Sequence, residues 1–218
     1  MVVSNKHVFW QAFVVAFVIF WTGILIGVWF EDSRYNDLEK FYFNSETDLF
    51  DISLEEEILS DFGFECSVAK QGNINFADRI YWEAKSLEKY DSSNAITENV
   101  IDLHRRYDLL RVMLWKSSVE LKEKCPEDVN VVVYLYDYVE PRIDVNARQT
   151  TMGRVLSEVK ERNGDNVILI PIAVDTEVKS LDLMKRKFGL GQAPLVVVNQ
   201  DTVLSDLFSV EEIEVYFD

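Results

Sequence analysis

The sequence predicts an α/β protein in three parts. An N-terminal transmembrane helix comes first, then a helical hairpin region, then a C-terminal domain of order β-α-β-α-β-β-α. Three observations carry this. Val8–Phe30 holds 23 residues without a charged side chain. Between Ile96 and Leu121 a seam of residues, apolar but for Ser117, steps alternately by 4 and 3. After Cys125-Pro126 the period changes, and β-branched runs alternate with amphipathic segments. The corresponding domains are 1–30, 31–125 and 126–218.

The apolar segment comes first in the chain. At ~1.5 Å rise per residue it crosses a ~30 Å hydrocarbon layer with some tilt. Trp10 and Trp29 stand near its ends, where amphipathic rings favour the membrane interface. Trp21 lies inside the span, beyond the reach of that argument. A cleaved signal peptide fits less well. The run is longer than a signal h-region, and Leu25-Ile26-Gly27 lacks a small residue two places before the cut. No cysteine follows the span closely, which excludes a lipoprotein anchor. Lys6 and the terminal amine precede the span and Arg34 and Lys40 follow it, so bases alone do not orient it. The short tail and the acids Glu31, Asp32 and Asp37 point to a cytoplasmic N-terminus and an extracytoplasmic body.

The formal net charge is -16, and apolar content of 48% is enough for a packed core. Residues 31–125 carry 21 acids and 12 bases, and residues 126–218 carry 17 and 9. Both halves are acidic, which argues against a phosphate-binding surface and a nucleic-acid partner. Solubility and mutual repulsion account for the charge. The chain has two cysteines, Cys66 and Cys125, and two histidines, His7 and His104. No CxxC and no Cys/His cluster occurs, so neither a metal site nor a cofactor is expected. In an exported body the two cysteines suit one disulfide, with two unrelated buried thiols as the alternative.

Residues 31–125 read as helices. Ser53-Leu-Glu-Glu56 has the form of a capping box, opening a helix to about Phe62 with Gly63 as its stop. Phe76, Ile80, Ala84 and Leu87 line one face of a helix from Asn75 to Tyr90, and Asp91–Asn94 reads as a turn. The next helix, from about residue 95 to 124, carries the seam Ile96, Val100, Leu103, Tyr107, Leu110, Leu114, Ser117 and Leu121. Ile101, Leu109, Val112, Met113, Trp115 and Val119 widen the apolar surface beyond a coiled-coil stripe. An intramolecular hairpin therefore fits better than an oligomer formed through the 96–121 seam. His104, Arg105 and Arg106 fall off the seam and read as a solvated face. Were the second helix twice as long as the first and antiparallel to it, an extended Cys66–Phe76 stretch would reach Cys125 along the overhang.

The C-terminal part reads in order. Val129–Asp137 is a strand and Gln149–Asn163 a helix, with Met152, Val155, Leu156 and Val159 on one face and Gly164 as its stop. Val167–Asp175 is a second strand, and Val178–Phe188 a second helix closed by Gly189. Leu195–Asn199 and Val203–Phe208 flank a short turn at Gln200-Asp201. Ser209-Val-Glu-Glu212 repeats the capping-box pattern and opens a last helix to Phe217.

Within that order, Lys187–Asn199 (KFGLGQAPLVVVN) holds a helix end, a glycine, a small loop, Ala193-Pro194 and an apolar strand. Ile172–Asp175 supplies a matching strand end. Over about residues 129–218 this resembles the thioredoxin-like fold. The resemblance implies a cis-proline at Pro194. It also places Pro171 in an edge strand, where a missing N–H is tolerated. Aligned from the first strand, Val139-Glu140-Pro141-Arg142 falls on the family's Cys-x-x-Cys. The proline stands and both cysteines are absent. Thiol exchange needs an attacking thiolate and a resolving thiol, so the position is redox-inert.

A plain β-to-α loop is one reading of this region. The sharper one is a retained binding face, built from Tyr138, Val139, Glu140, Pro141, Arg142, Ala193 and Pro194, that captures an extended segment through its backbone. Tyr134, Tyr136 and Tyr138 share one face at period two, and core packing explains part of that pattern. The apolar anchor, taken with what the resemblance implies, points to a membrane-anchored, non-catalytic protein-binding or scaffold module whose partner is undefined. An accessory subunit of glycosyl-transfer or export machinery, or a thiol oxidoreductase working through Cys66 and Cys125, are the alternatives. No nucleophile–base constellation argues for other chemistry.

Overall fold

The structure, a computed structural model, describes residues 9–29, 47, 50–51, 53–54, 57–58, 65–91, 98–126, 129–139 and 141–217. The described residues 50, 51, 53, 54, 57 and 58 are all helical, so the helix does not open at Ser53 as its capping-box pattern suggests, and Phe62 and Gly63 lie outside the described residues. The chain forms two compact units, residues 1–50 and 51–218.

In the first unit, helix α1 (Phe9–Trp29) runs for 21 residues and is long and apolar enough to cross a membrane. Trp21 has a local role there. Trp10, Phe13, Phe17 and Trp21 form a ladder of rings along one side, with successive centroids 6.0, 6.3 and 5.9 Å apart. Thr22 Oγ1 donates to the Val18 carbonyl at 2.7 Å, which satisfies its hydroxyl within the apolar helix.

The second unit begins its described core with α2 (Cys66–Asp91) and α3 (Glu98–Lys124). They form an antiparallel hairpin, pinned by Ser117 Oγ donating to Asn73 Oδ1 at 2.7 Å. Phe76 and Ile80 are buried as expected, and so are the seam residues Leu103, Tyr107, Leu110, Leu114 and Leu121. From Leu103 to Leu121 the seam is thus covered within the chain, while Ile96 lies outside the described residues. The helices have 26 and 27 residues, so the expected overhang does not exist. Cys66–Phe76 is helical rather than extended, because Ala69, Asn73 and Ile74 already supply a buried face there. Cys66 opens α2 directly opposite Cys125. The two form a disulfide with Cα atoms 5.9 Å apart across a sequence separation of 59.

A four-stranded mixed sheet follows, built from β1 (Asn130–Tyr136), β2 (Val167–Ala173), β3 (Leu195–Val198) and β4 (Thr202–Leu204). Its order is β2-β1-β3-β4, with β1 and β2 parallel and the other pairs antiparallel. Helices α4 (Ile143–Asn163), α5 (Lys179–Lys187) and α6 (Val210–Glu214) complete the unit. Val132, Tyr134, Val196 and Val198 pack with Met152, Leu156 and Val159 of α4 and with Val210 and Ile213 of α6. The alternate β1 residues Val131, Val133 and Leu135 are buried too, as a strand covered on both faces requires. Helix α3 packs along β1 and β2 and against α5.

Pro171 sits on an edge strand, as expected. The Val174 N–H donates to the Tyr136 carbonyl at 2.8 Å, so even-numbered N–H groups of β2 face β1. Those of residues 171 and 173 face outward, and the missing proline donor falls on the free edge.

Two local patterns hold and one is corrected. Ser209 and Glu212 close a reciprocal capping box at α6, with Ser209 N to Glu212 Oε2 at 2.7 Å and Glu212 N to Ser209 Oγ at 3.2 Å. Asn199 and Gln200, both at positive φ, make the β3–β4 turn. Helix α4 starts at Ile143, not Gln149. Its first turns face solvent, with Ile143 itself 91% exposed, so they show no apolar period to read.

Candidate functional site

Strand pairing gathers three loops at one end of the sheet. Leu135 pairs with Leu195, which places Pro194 beside the last residue of β1. Tyr136 pairs with Ala173, which brings the loop after β2 to the same end. The Ala193–Pro194 peptide is cis, as the resemblance implied, and Pro194 is buried with Ala193 half-buried.

The loop after β1 is held by side chains from two other elements. Gln149 clamps the Asp137 backbone, accepting its N–H at 2.8 Å and donating to its carbonyl at 3.0 Å. The Gln149 carbonyl in turn accepts from the Tyr134 hydroxyl at 3.0 Å. Asp175 accepts the N–H of Tyr138 at 2.9 Å and of Val139 at 2.7 Å. Its carboxylate therefore serves the loop, satisfying donors that a short irregular segment could not pair by itself. Pro141 is half-buried, and Arg142 occupies the N-cap position of α4. Arg142 pairs with Asp144 at 3.0 Å, and with both side chains exposed the pair contributes little. Glu140 lies outside the described residues. No thiol reaches this place, because Cys66 and Cys125 are joined to each other.

The electrostatics suit a structural loop. Burial raises the Asp137 carboxyl above the ordinary carboxylate range, and the neighbouring Asp175 raises it further, against the pull of Lys185. Burial likewise pushes the Tyr134 phenol up. Among the described residues no group of three His, Cys, Asp or Glu side chains is arranged to hold a metal.

A second feature was missed by pattern reading. One residue past each seam position, α3 carries His104, Asp108, Arg111, Trp115, Ser118 and Lys122. At Asp108 and Arg111 this stripe meets the sheet. The Asp108 carboxylate is fully buried and accepts from the Ala173 N–H at 3.1 Å, from Thr176 Oγ1 at 2.7 Å and from Arg111 Nη1 at 3.2 Å. Ala173 is one of the outward N–H groups of β2, so Asp108 caps the free edge that Pro171 leaves blunt. Burial raises the Asp108 carboxyl and Arg111 opposes that rise. The Tyr136 phenol is also raised by burial, again against Arg111, which hydrogen-bonds it. Burial disfavours the Arg111 cation, but Tyr136 and Asp108 together hold it charged.

The expected solvated face at His104–Arg106 is corrected accordingly. The His104 ring stacks on Tyr138, centroids 3.7 Å apart. Arg105 Nε donates to the Thr176 carbonyl at 2.7 Å, while its Nη atoms reach Glu177 and Asp102, each at 3.1 Å. Further along α3, Trp115 stacks on Phe188 at 5.4 Å. The stripe escaped notice because it is polar at Asp108, Arg111, Ser118 and Lys122, so an apolar count passes over it. An Asp and an Arg three apart, directly beside an apolar seam, were the available signal.

Comparison with protein-family models, with curated proteins and with solved structures gives no match.

Proposed function

We propose that residues 129–218 form a thioredoxin-like domain that has lost thiol chemistry and serves as a protein-binding module. Helix α1 tethers it to a membrane, with the N-terminus cytoplasmic and the body outside the cytoplasm. One observation carries the reading. The β2-β1-β3-β4 sheet brings the Val139–Arg142 turn and Pro194 to the same end, yet the only two cysteines are bonded to each other elsewhere. Exposed Ile143 and Arg142 border this end, where an extended partner segment would lie along backbone groups. The test is site-specific photo-crosslinking from position 143 in the native membrane, with position 154 on the same helix as control. A discrete adduct from 143 alone supports the module. Identical patterns from both positions refute it, as does insulin reduction by the purified chain.

A second reading, thiol exchange through Cys66 and Cys125, gains one observation. Cys66 opens α2, and a helix N-terminus stabilises a thiolate. The sequence had placed neither cysteine so. Alkylation-rate titration of the reduced protein decides it. A Cys66 pKa at or above the ordinary ~8.5 removes this reading.

A further inference from the structure

On the outer side of α2, Tyr81 and Trp82 are 57% and 64% exposed, although both belong to a helix whose inner face is buried. Their rings meet edge to face, 5.5 Å between centroids. Lys85 lies over both, its Nζ 5.6 Å from the Tyr81 ring and 5.2 Å from the Trp82 ring.

Two exposed aromatic rings with polar tips and a lysine folded along them make an amphipathic surface. Tyr, Trp and Lys combine in this way where one end of each side chain meets hydrocarbon and the other meets water. The chain itself supplies such a boundary. Helix α1 ends at Trp29 and α2 starts at Cys66, so the 36 residues between them hold the hairpin within at most roughly 130 Å of the span. Tethering turns a weak surface affinity into an intramolecular one, so a patch of three side chains is enough. The surroundings select the lipid. Exposed Asp78 lies one turn before Trp82, and the chain carries a net charge of -16, which disfavours an anionic surface.

We infer that Tyr81, Trp82 and Lys85 form a docking surface for the zwitterionic headgroup region of the bilayer that α1 spans. The inference rests on the reading of α1 as a membrane span. The rings enter the interface and Lys85 swings from their faces to a lipid phosphate. The hairpin then lies along the membrane instead of standing free of it.

The test uses the full chain in phosphatidylcholine proteoliposomes, with Trp10, Trp21 and Trp29 replaced by Phe. Trp82 and Trp115 are then the remaining tryptophans, and Trp115 is fully buried, so it serves as an internal reference. Lipids brominated near the headgroup should quench the Trp82 emission, and the further change Trp82→Phe should abolish the quenched component. Lys85→Glu should weaken the quenching, and added anionic lipid should not strengthen it. Equal emission with and without bromine, with Trp82 open to aqueous iodide, overturns the inference. Shielding from both iodide and bromine also overturns it and points to a protein covering the patch. The unsubstituted anchor separates the two failures. If Trp21, the tryptophan inside the span, escapes deep-chain bromines, the span itself is wrong. If it is quenched and Trp82 is not, only the docking is.

Discussion

Replacing Asp108 by leucine probes the junction between the hairpin and the sheet edge. The change removes the acceptor of the Ala173 N–H and Thr176 hydroxyl, and it leaves the Arg111 cation buried with only Tyr136. Breaking a buried ion pair by deleting one partner costs about 3–5 kcal/mol. The unpaired neutral donors fall within that figure, at about 1–3 kcal/mol for each buried group. Against a typical total stability of roughly 5–15 kcal/mol the loss is large. At roughly 2–4 °C per kcal/mol for a chain of this size, Tm should fall by about 6–20 °C. Thermal melts of the full chain in detergent, followed by circular dichroism, measure it. Adding Arg111→Met should recover part of the loss, because no buried cation then remains, but the Ala173 and Thr176 donors still lack an acceptor. A single-variant loss below about 1 kcal/mol would refute the buried junction, since an exposed pair costs no more than that. Equal losses in the single and double variants would refute the role given to Arg111.

Further outcomes follow from the loop and the disulfide. Gln149→Leu should cost about 1–3 kcal/mol and speed hydrogen exchange at the Asp137 amide, because both backbone groups of Asp137 lose their partner; an unchanged exchange rate contradicts the clamp. The Asp137 carboxyl is raised in the folded state, so its favourable contribution is present below about pH 4 and fades as pH climbs through the raised value. Asp137→Asn should therefore gain stability relative to the parent between acidic and neutral pH, and a parallel pair of stability-pH curves would count against the shift. The Cys66–Cys125 bond should speed the oxidised chain on non-reducing gels, and replacing both cysteines by alanine should cost about 4 kcal/mol for a loop of this size.

Much of the fold was legible because it is written in apolar period. The sheet strands β1 to β3, the seam of α3, and the capping box at Ser209 all show their pattern directly. Boundaries failed where the pattern is silent. Helix α4 begins at Ile143 with solvent-facing turns, and α2 begins at Cys66 through Gln71 and Asn73, which no hydrophobic count favours. The candidate site was legible as a location only. Val139, Arg142 and Pro194 could be placed by resemblance, but Asp175 and Gln149, which hold the loop, reach it from 36 and 12 residues away. Contacts of that separation leave no local trace in one sequence. The polar stripe of α3 was hidden for a different reason. A buried Asp108–Arg111 pair reads as surface until the partner groups at Ala173 and Thr176 are in view.

The most direct measurement is labelling of Cys66 and Cys125 in intact cells with a membrane-impermeant maleimide, with and without prior reduction, read by mass spectrometry. A tethered, disulfide-closed body outside the cytoplasm predicts labelling of both residues only after reduction and without lysis. Labelling that needs lysis but no reductant would place the body in the cytoplasm with free thiols, and would contradict both the bond and the compartment on which the proposed partner face depends.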